Sequence, residues 1–90
     1  MMWGVPTISR FYGIVIRMYF ADHAPPHFHA MYSGDEAVIE IASGRLLRGA
    51  LPERALRLVR EWTTIHRDEL EANWQRTQIP DQPAPIAPLP

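Results

Sequence analysis

The sequence predicts an α+β fold: an antiparallel four-stranded β-meander followed by one long or two shorter C-terminal helices. Three observations predict it. Up to about Ala50 the apolar residues alternate with a period of two. From Pro52 they recur every three or four residues instead. The strand-like runs are joined by short Gly- or Pro-containing connections, which suit antiparallel neighbours and not parallel crossovers.

Residues 8–20, ISRFYGIVIRMYF, are rich in β-branched and aromatic side chains and read as one long strand kinked at Gly13. The two-residue period puts Ile8, Tyr12, Ile14, Ile16, Met18 and Phe20 on one face. Phe11, Val15, Arg17 and Tyr19 fall on the other, so both faces are partly apolar. Residues 21–26, ADHAPP, form a loop, because Pro25 and Pro26 have no N–H to give to a ladder. HFHAMY at 27–32 is the second strand, with Phe28, Ala30 and Tyr32 on one side and His27, His29 and Met31 on the other. SGD at 33–35 is a hairpin turn, and EAVIEIA at 36–42 is the third strand. Its Ala37, Ile39 and Ile41 oppose Glu36, Val38 and Glu40. SG at 43–44 turns the chain into a short fourth strand, RLLRGA, at 45–50.

Pro52 suits the first turn of a helix. Ala55, Val59, Trp62, His66, Leu70 and Asn73 make its apolar stripe, widened by Leu58, Ile65 and Trp74. Glu53 is spaced to pair with Arg57. One helix as far as Gln78 would be roughly 40 Å long at ~1.5 Å per residue, longer than a small sheet is wide, so a break near residues 67–68 is the second option. The domain therefore covers residues 1–79. Residues 80–90 are a proline-rich tail of polyproline II type, lying along the domain through Ile86 and Leu89 or hanging free.

Ninety residues make one domain, and 47% apolar content is too high for a disordered chain. The absence of cysteine excludes disulfides, thiolate ligands and a thiol nucleophile. All nine basic residues are arginine, yet the net charge is −1, which argues against a generally basic nucleic-acid binder and leaves only a local arginine patch. The helix residues Arg54, Arg57, Arg60 and Arg67 read as a solvated face. The start, MMWGVPTISRF, lacks a signal-peptide pattern, and Trp3 reads as an ordinary extension ahead of the first strand. Arg17 and Asp22 interrupt the longest apolar stretch well short of the ~20 residues of a membrane helix. A soluble, cytoplasmic protein is expected.

Three of the four histidines lie in DHAPPHFHAMY, residues 22–32. His27 and His29 leave one strand face together, at a spacing from which two imidazoles reach a common ion. The two prolines can fold His23 back toward them, and His66 on the helix stripe is a distant fourth candidate. Asp22, Glu36 and Glu40 are the available carboxylates. Zinc, nickel or manganese would suit such ligands, and a position left open to water would make a hydrolase. Without metal, His27 and His29 can serve as acid and base in RNA or phosphoester cleavage. Arg17 would then meet the transition-state charge, with Arg10, Tyr12 and Tyr19 nearby. The architectural alternative is that the histidines brace the Pro-Pro turn, and that His66, amid Trp62 and Leu70, is a core histidine. If Phe28 packs under the helix, His27 and His29 face the other way and His66 is out of reach, unless the sheet curls or a second chain supplies it.

PTISRFYG, followed by HAPPHFHA, resembles the hallmark of a family of small bacterial proteins known only as a domain of unknown function. The resemblance covers residues 6–79, with Trp62, His66 and Trp74 on the helical half. It implies no catalytic mechanism. It does imply a gene neighbourhood shared with a second small domain, an arrangement like toxin–antitoxin or regulatory pairs. The expected partner is thus a small protein encoded nearby, with a homodimer or RNA as further candidates and no membrane. The alternative to a histidine-lined hydrolase is a non-catalytic protein-binding or regulatory module.

Overall fold

The chain turns back on itself at Tyr12 and Gly13, so the stretch read as one strand is two: β1 (Thr7–Phe11) and β2 (Ile14–Arg17). Both turn residues have left-handed backbones, φ 51° and 80°, as a two-residue hairpin of the twist-matched kind requires. Uninterrupted β-propensity hid this turn, because tyrosine stands where asparagine or aspartate usually gives the signal. The fold is therefore α+β with five antiparallel strands and not four. β3 (His27–Tyr32), β4 (Asp35–Glu40) and β5 (Leu46–Gly49) complete a meander in sheet order β1-β2-β3-β4-β5. The computed structural model describes residues 6–90. Trp3 and the rest of residues 1–5 lie outside them.

The turn also re-sorts the faces. Phe11 and Ile14 become register partners, and both are in the core, although a continuous strand would put them on opposite sides. Tyr12 is exposed at the tip. A bulge between Thr7 and Ser9 lets Ile8 enter the core as well. Cross-strand partners then share the core face: Ile16 with Ala30, Ala30 with Ala37, Phe28 with Ile39, Ile39 with Leu46. The other face carries Arg17, His29, Val38 and Arg48 in one row across four strands, with His27 opposite Glu40 beside it.

Two helices close the core, α1 (Glu53–Ile65) and α2 (Arg67–Gln78), separated by His66 at φ −112°. Trp62 and Leu70, one on each side of the break, are both fully buried. Trp62 packs on Phe11 and Phe28, with ring centroids at 5.3 and 5.7 Å. The helix arginines are not uniformly solvated. Arg60 Nε–H donates to the Gly44 carbonyl and Arg67 Nε–H to the Ile41 carbonyl, so both tie the helices to strand ends. Arg57 is exposed and 3.9 Å from Glu53, a pair of little energetic consequence.

The tail does not hang free. Pro83, Ile86 and Leu89 are buried, and Ile86 N–H donates to the Ile8 carbonyl, covering the outer edge of β1. Among the described residues no helix is long and apolar enough to cross a membrane.

Candidate functional site

His27 and His29 open β3, and the loop before them folds over their rings. Several backbone hydrogen bonds hold this loop. Met18 N–H donates to the Pro6 carbonyl, Ala21 N–H to the Thr77 carbonyl at the end of α2, and Ile41 N–H to the Pro26 carbonyl. The peptide bond between Ala24 and Pro25 is cis. The loop carries Asp22 to the two histidines. Its Oδ1 accepts the His23 backbone N–H at 2.8 Å, which turns Oδ2 toward the rings.

Oδ2 lies 2.8 Å from His27 Nε2 and 3.4 Å from His29 Nε2. The far side of each ring is also held. His27 Nδ1–H donates to the Pro25 carbonyl at 2.7 Å, and His29 Nδ1–H donates to Glu36 Oε2 at 2.7 Å. All of these partners, Asp22 included, are acceptors, so a neutral imidazole satisfies only one of its two contacts. With Nδ1 protonated, a neutral imidazole presents a lone pair at Nε2. With Nδ1 alone protonated in both rings, two lone pairs would face one carboxylate oxygen, acceptor against acceptor. Extra protons on the rings, or a cation between the three atoms, resolve that conflict.

Aromatic rings wall the site. Tyr19 meets the His29 ring edge-on at 4.3 Å between centroids, and Trp74 of α2 lies 5.2 Å from His27. Both histidines are about 93% buried, at 7% and 6% exposure, whereas Asp22 keeps an exposed side. Burial raises the Asp22 pKa. The hydrogen bonds from His23 N–H, His27 and His29, with the His27 charge, outweigh it and hold the carboxyl below the ordinary aspartate value.

Asp22, His27 and His29 form a group whose ligand atoms all lie within 4.8 Å of one another. His23 and His66, the other two histidines read as ligands, are outside that group. His23 is exposed and offers Asp22 its backbone N–H. His66 sits at the helix break beside Trp62, with Nδ1 2.5 Å from Glu69 Oε1. The third donor is thus a carboxylate five residues before His27. Asp22 is one of the carboxylates the sequence offers, but the return of the loop that selects it over His23 has no local sequence signal. Glu36 holds a ring and Glu40 accepts from the Ser43 hydroxyl. Arg17 is the cross-strand partner of His29, and its Nε is buried with no hydrogen-bond partner among the described residues. Tyr12 is engaged elsewhere, by the Pro90 carbonyl. An open pocket of about 200 Å³ adjoins the row, lined by Glu36, Val38, Arg48 and Gly49.

A family model described as "Domain of unknown function (DUF4160)" matches residues 13–75. That span includes the whole histidine segment and most of both helices, but neither β1 nor the tail. Comparison with curated proteins found no match, and comparison with solved structures found none either. With most of its length matched, and the histidine segment within the match, the chain belongs to the DUF4160 family of domains of unknown function.

Proposed function

We propose that Asp22, His27 and His29 hold one divalent transition metal, and that the chain is a small metal-dependent hydrolase acting on a phosphoester, RNA being the leading substrate. One observation carries the reading: both Nδ1 atoms are already held by acceptors, and both Nε2 atoms converge on the same carboxylate oxygen. Two ligands each ~2.1 Å from an ion are about 3.0 Å apart at a right angle and about 3.4 Å apart at the tetrahedral angle. The separations of 2.8 and 3.4 Å suit that arrangement. The Pro25 carbonyl and Glu36 supply the outer hydrogen bonds that usually orient metal-binding imidazoles.

Two histidines and one carboxylate leave coordination positions free, and a bound metal supplies a water acidified to a pKa of ~7. Zinc, nickel and manganese all accept this donor set. His27 and His29 are then ligands and not the acid and base. Arg17, next to His29 with its Nε unpartnered, is the group for phosphate charge, and the pocket beside Glu36 and Arg48 gives a substrate room.

Metal content of the untagged protein tests this reading. Near-stoichiometric zinc, nickel or manganese in the wild type, and none in His27→Ala or Asp22→Ala, is expected. A wild type that takes up no metal after reconstitution overturns it. A second reading rests on the 2.7 Å bond from His27 to the Pro25 carbonyl. In it the histidines brace the loop of a non-catalytic module that binds a small partner encoded nearby, in a toxin–antitoxin-like pair. It predicts co-purification that chelators leave intact, and a His-to-Ala variant that loses stability alone.

A further inference from the structure

The tail is bound through a three-residue repeat read twice. Its buried side chains are Pro83, Ile86 and Leu89. Its hydrogen-bonded carbonyls are those of Ala84, Ala87 and Pro90, one residue later each time. Three residues per turn is the repeat of polyproline II, so one edge of the helix is apolar and the neighbouring edge is a row of acceptors. The body supplies a side-chain donor for each acceptor. Asn73 Nδ2–H reaches Ala84 O at 2.8 Å, Trp62 Nε1–H reaches Ala87 O at 2.9 Å, and Tyr12 O–H reaches Pro90 O at 2.6 Å.

This is the chemistry by which aromatic-lined grooves bind proline-rich peptides. Proline has no N–H, so the carbonyls are the handles, and the stiff helix loses little entropy on docking. Asn73 adds selectivity of register, because its Oδ1 also accepts the Ala84 N–H at 2.8 Å. Ile86 N–H bonds the edge of β1. The connection to α2, residues 79–82, is exposed throughout, and the tail returns to that helix through Asn73.

We propose that Tyr12, Trp62, Asn73 and the edge of β1 form a receptor groove for polyproline II peptides. The chain's own tail is its tethered ligand, and the same tail from a second copy of the chain is its ligand in trans. Tethering gives the tail an effective concentration in the ~mM range, so the closed monomer prevails in dilute solution and exchange appears when the tether is cut or shortened. The groove is built by residues apart from the histidine site, and its test is independent of any metal.

The first test inserts a protease recognition sequence between Asp81 and Gln82 of the full chain and cuts it after folding. The cut protein is expected to stay folded and to retain its tail on gel filtration. It should exchange that tail for a labelled peptide of residues 80–90, saturably. Asn73→Ala removes both Ala84 bonds and should weaken the peptide by about tenfold. A peptide with Ile86 and Leu89 each moved by one position should not compete. Unfolding on cleavage, or a folded cut chain that takes up no peptide, overturns the proposal. The second test deletes Asp81 and Gln82 so that the tail cannot reach its own groove. A dimer on gel filtration is expected, and a monomer overturns binding in trans.

Discussion

His29 meets an oxygen at each ring nitrogen, Glu36 at Nδ1 and Asp22 at Nε2, and His27 is held in the same way by Pro25 and Asp22. Asp22 is the shared element, so its chemistry can be tested by a change that preserves shape. Asp22→Asn should fold and lose at least about tenfold in metal affinity, measured by competition with a chromogenic chelator. Acid stability gives a second readout in the metal-free protein. The Asp22 pKa is depressed on folding below its ordinary 3.8. Its contribution is therefore fully present above that ordinary value and is lost as pH falls through the depressed one. Wild type should lose stability to urea between pH 4 and lower pH, and Asp22→Asn should lose less over the same interval. Equal losses would remove Asp22 from the balance. In the proposed hydrolase, Arg17 separates binding from turnover. Arg17→Ala should keep its metal and lose about a hundredfold in phosphodiester hydrolysis, checked by paired metal analysis and initial rates.

At the level of elements, the site depends on how closely β5 lies against β4. Gly49 has φ +79°, and a Cβ there would sit 2.1 Å from the Glu36 carbonyl oxygen. The strand next to it carries the carboxylate that orients His29. Gly49→Ala should therefore cost about 2 kcal/mol or more through backbone strain and displacement of β4, measured by urea unfolding. If enough folded protein remains, its metal affinity should fall too, because Glu36 moves. A silent Gly49→Ala would show that β5 yields without disturbing β4. The helix break works in the same way for the other layer. Arg67, read from sequence as solvent-facing, instead fastens the start of α2 to the carbonyl of Ile41 just beyond β4. α2 then brings Trp74 against His27 and the Thr77 carbonyl against Ala21. The helices thus reach the site from the far layer, at its β3 end.

Across the whole molecule, Trp62 joins three parts that are far apart in sequence. Its ring is fully buried against Phe11 and Phe28, and its N–H holds the tail. Trp62→Ala should cost about 3–5 kcal/mol, a large share of the ~5–15 kcal/mol that stabilises a domain of this class. Thermal unfolding monitored by circular dichroism should show a chain that is unfolded or nearly so at 37 °C. A cooperative transition close to that of the wild type would mean that the core is shared differently from the packing described here.

Some of this was legible in the sequence alone. Periodicity separated a β half from a helical half at Leu51 and placed Phe28 and His29 on opposite faces, while the register of β2 with β3 set Arg17 beside His29. The features read from periodicity are local, since alternation along a strand fixes side-chain direction wherever the strand lies. The clustering of His27 and His29 was legible for the same reason. The hairpin at Tyr12 was not, because a left-handed tyrosine is tolerated only when the strands it joins pair. The choice of Asp22 over His23 was not legible either. It is made by bonds from Ala21 to α2 and from Ile41 to Pro26, which hold the loop in place from residues distant in sequence. The docking of the tail follows the same rule. That Ile86 and Leu89 could dock is readable in the sequence, but which side chains answer them depends on a helix, a strand edge and a turn meeting at one groove. Residue spacing determined the faces. Long-range hydrogen bonds between elements decided which groups meet, because they depend on tertiary packing that no local pattern encodes.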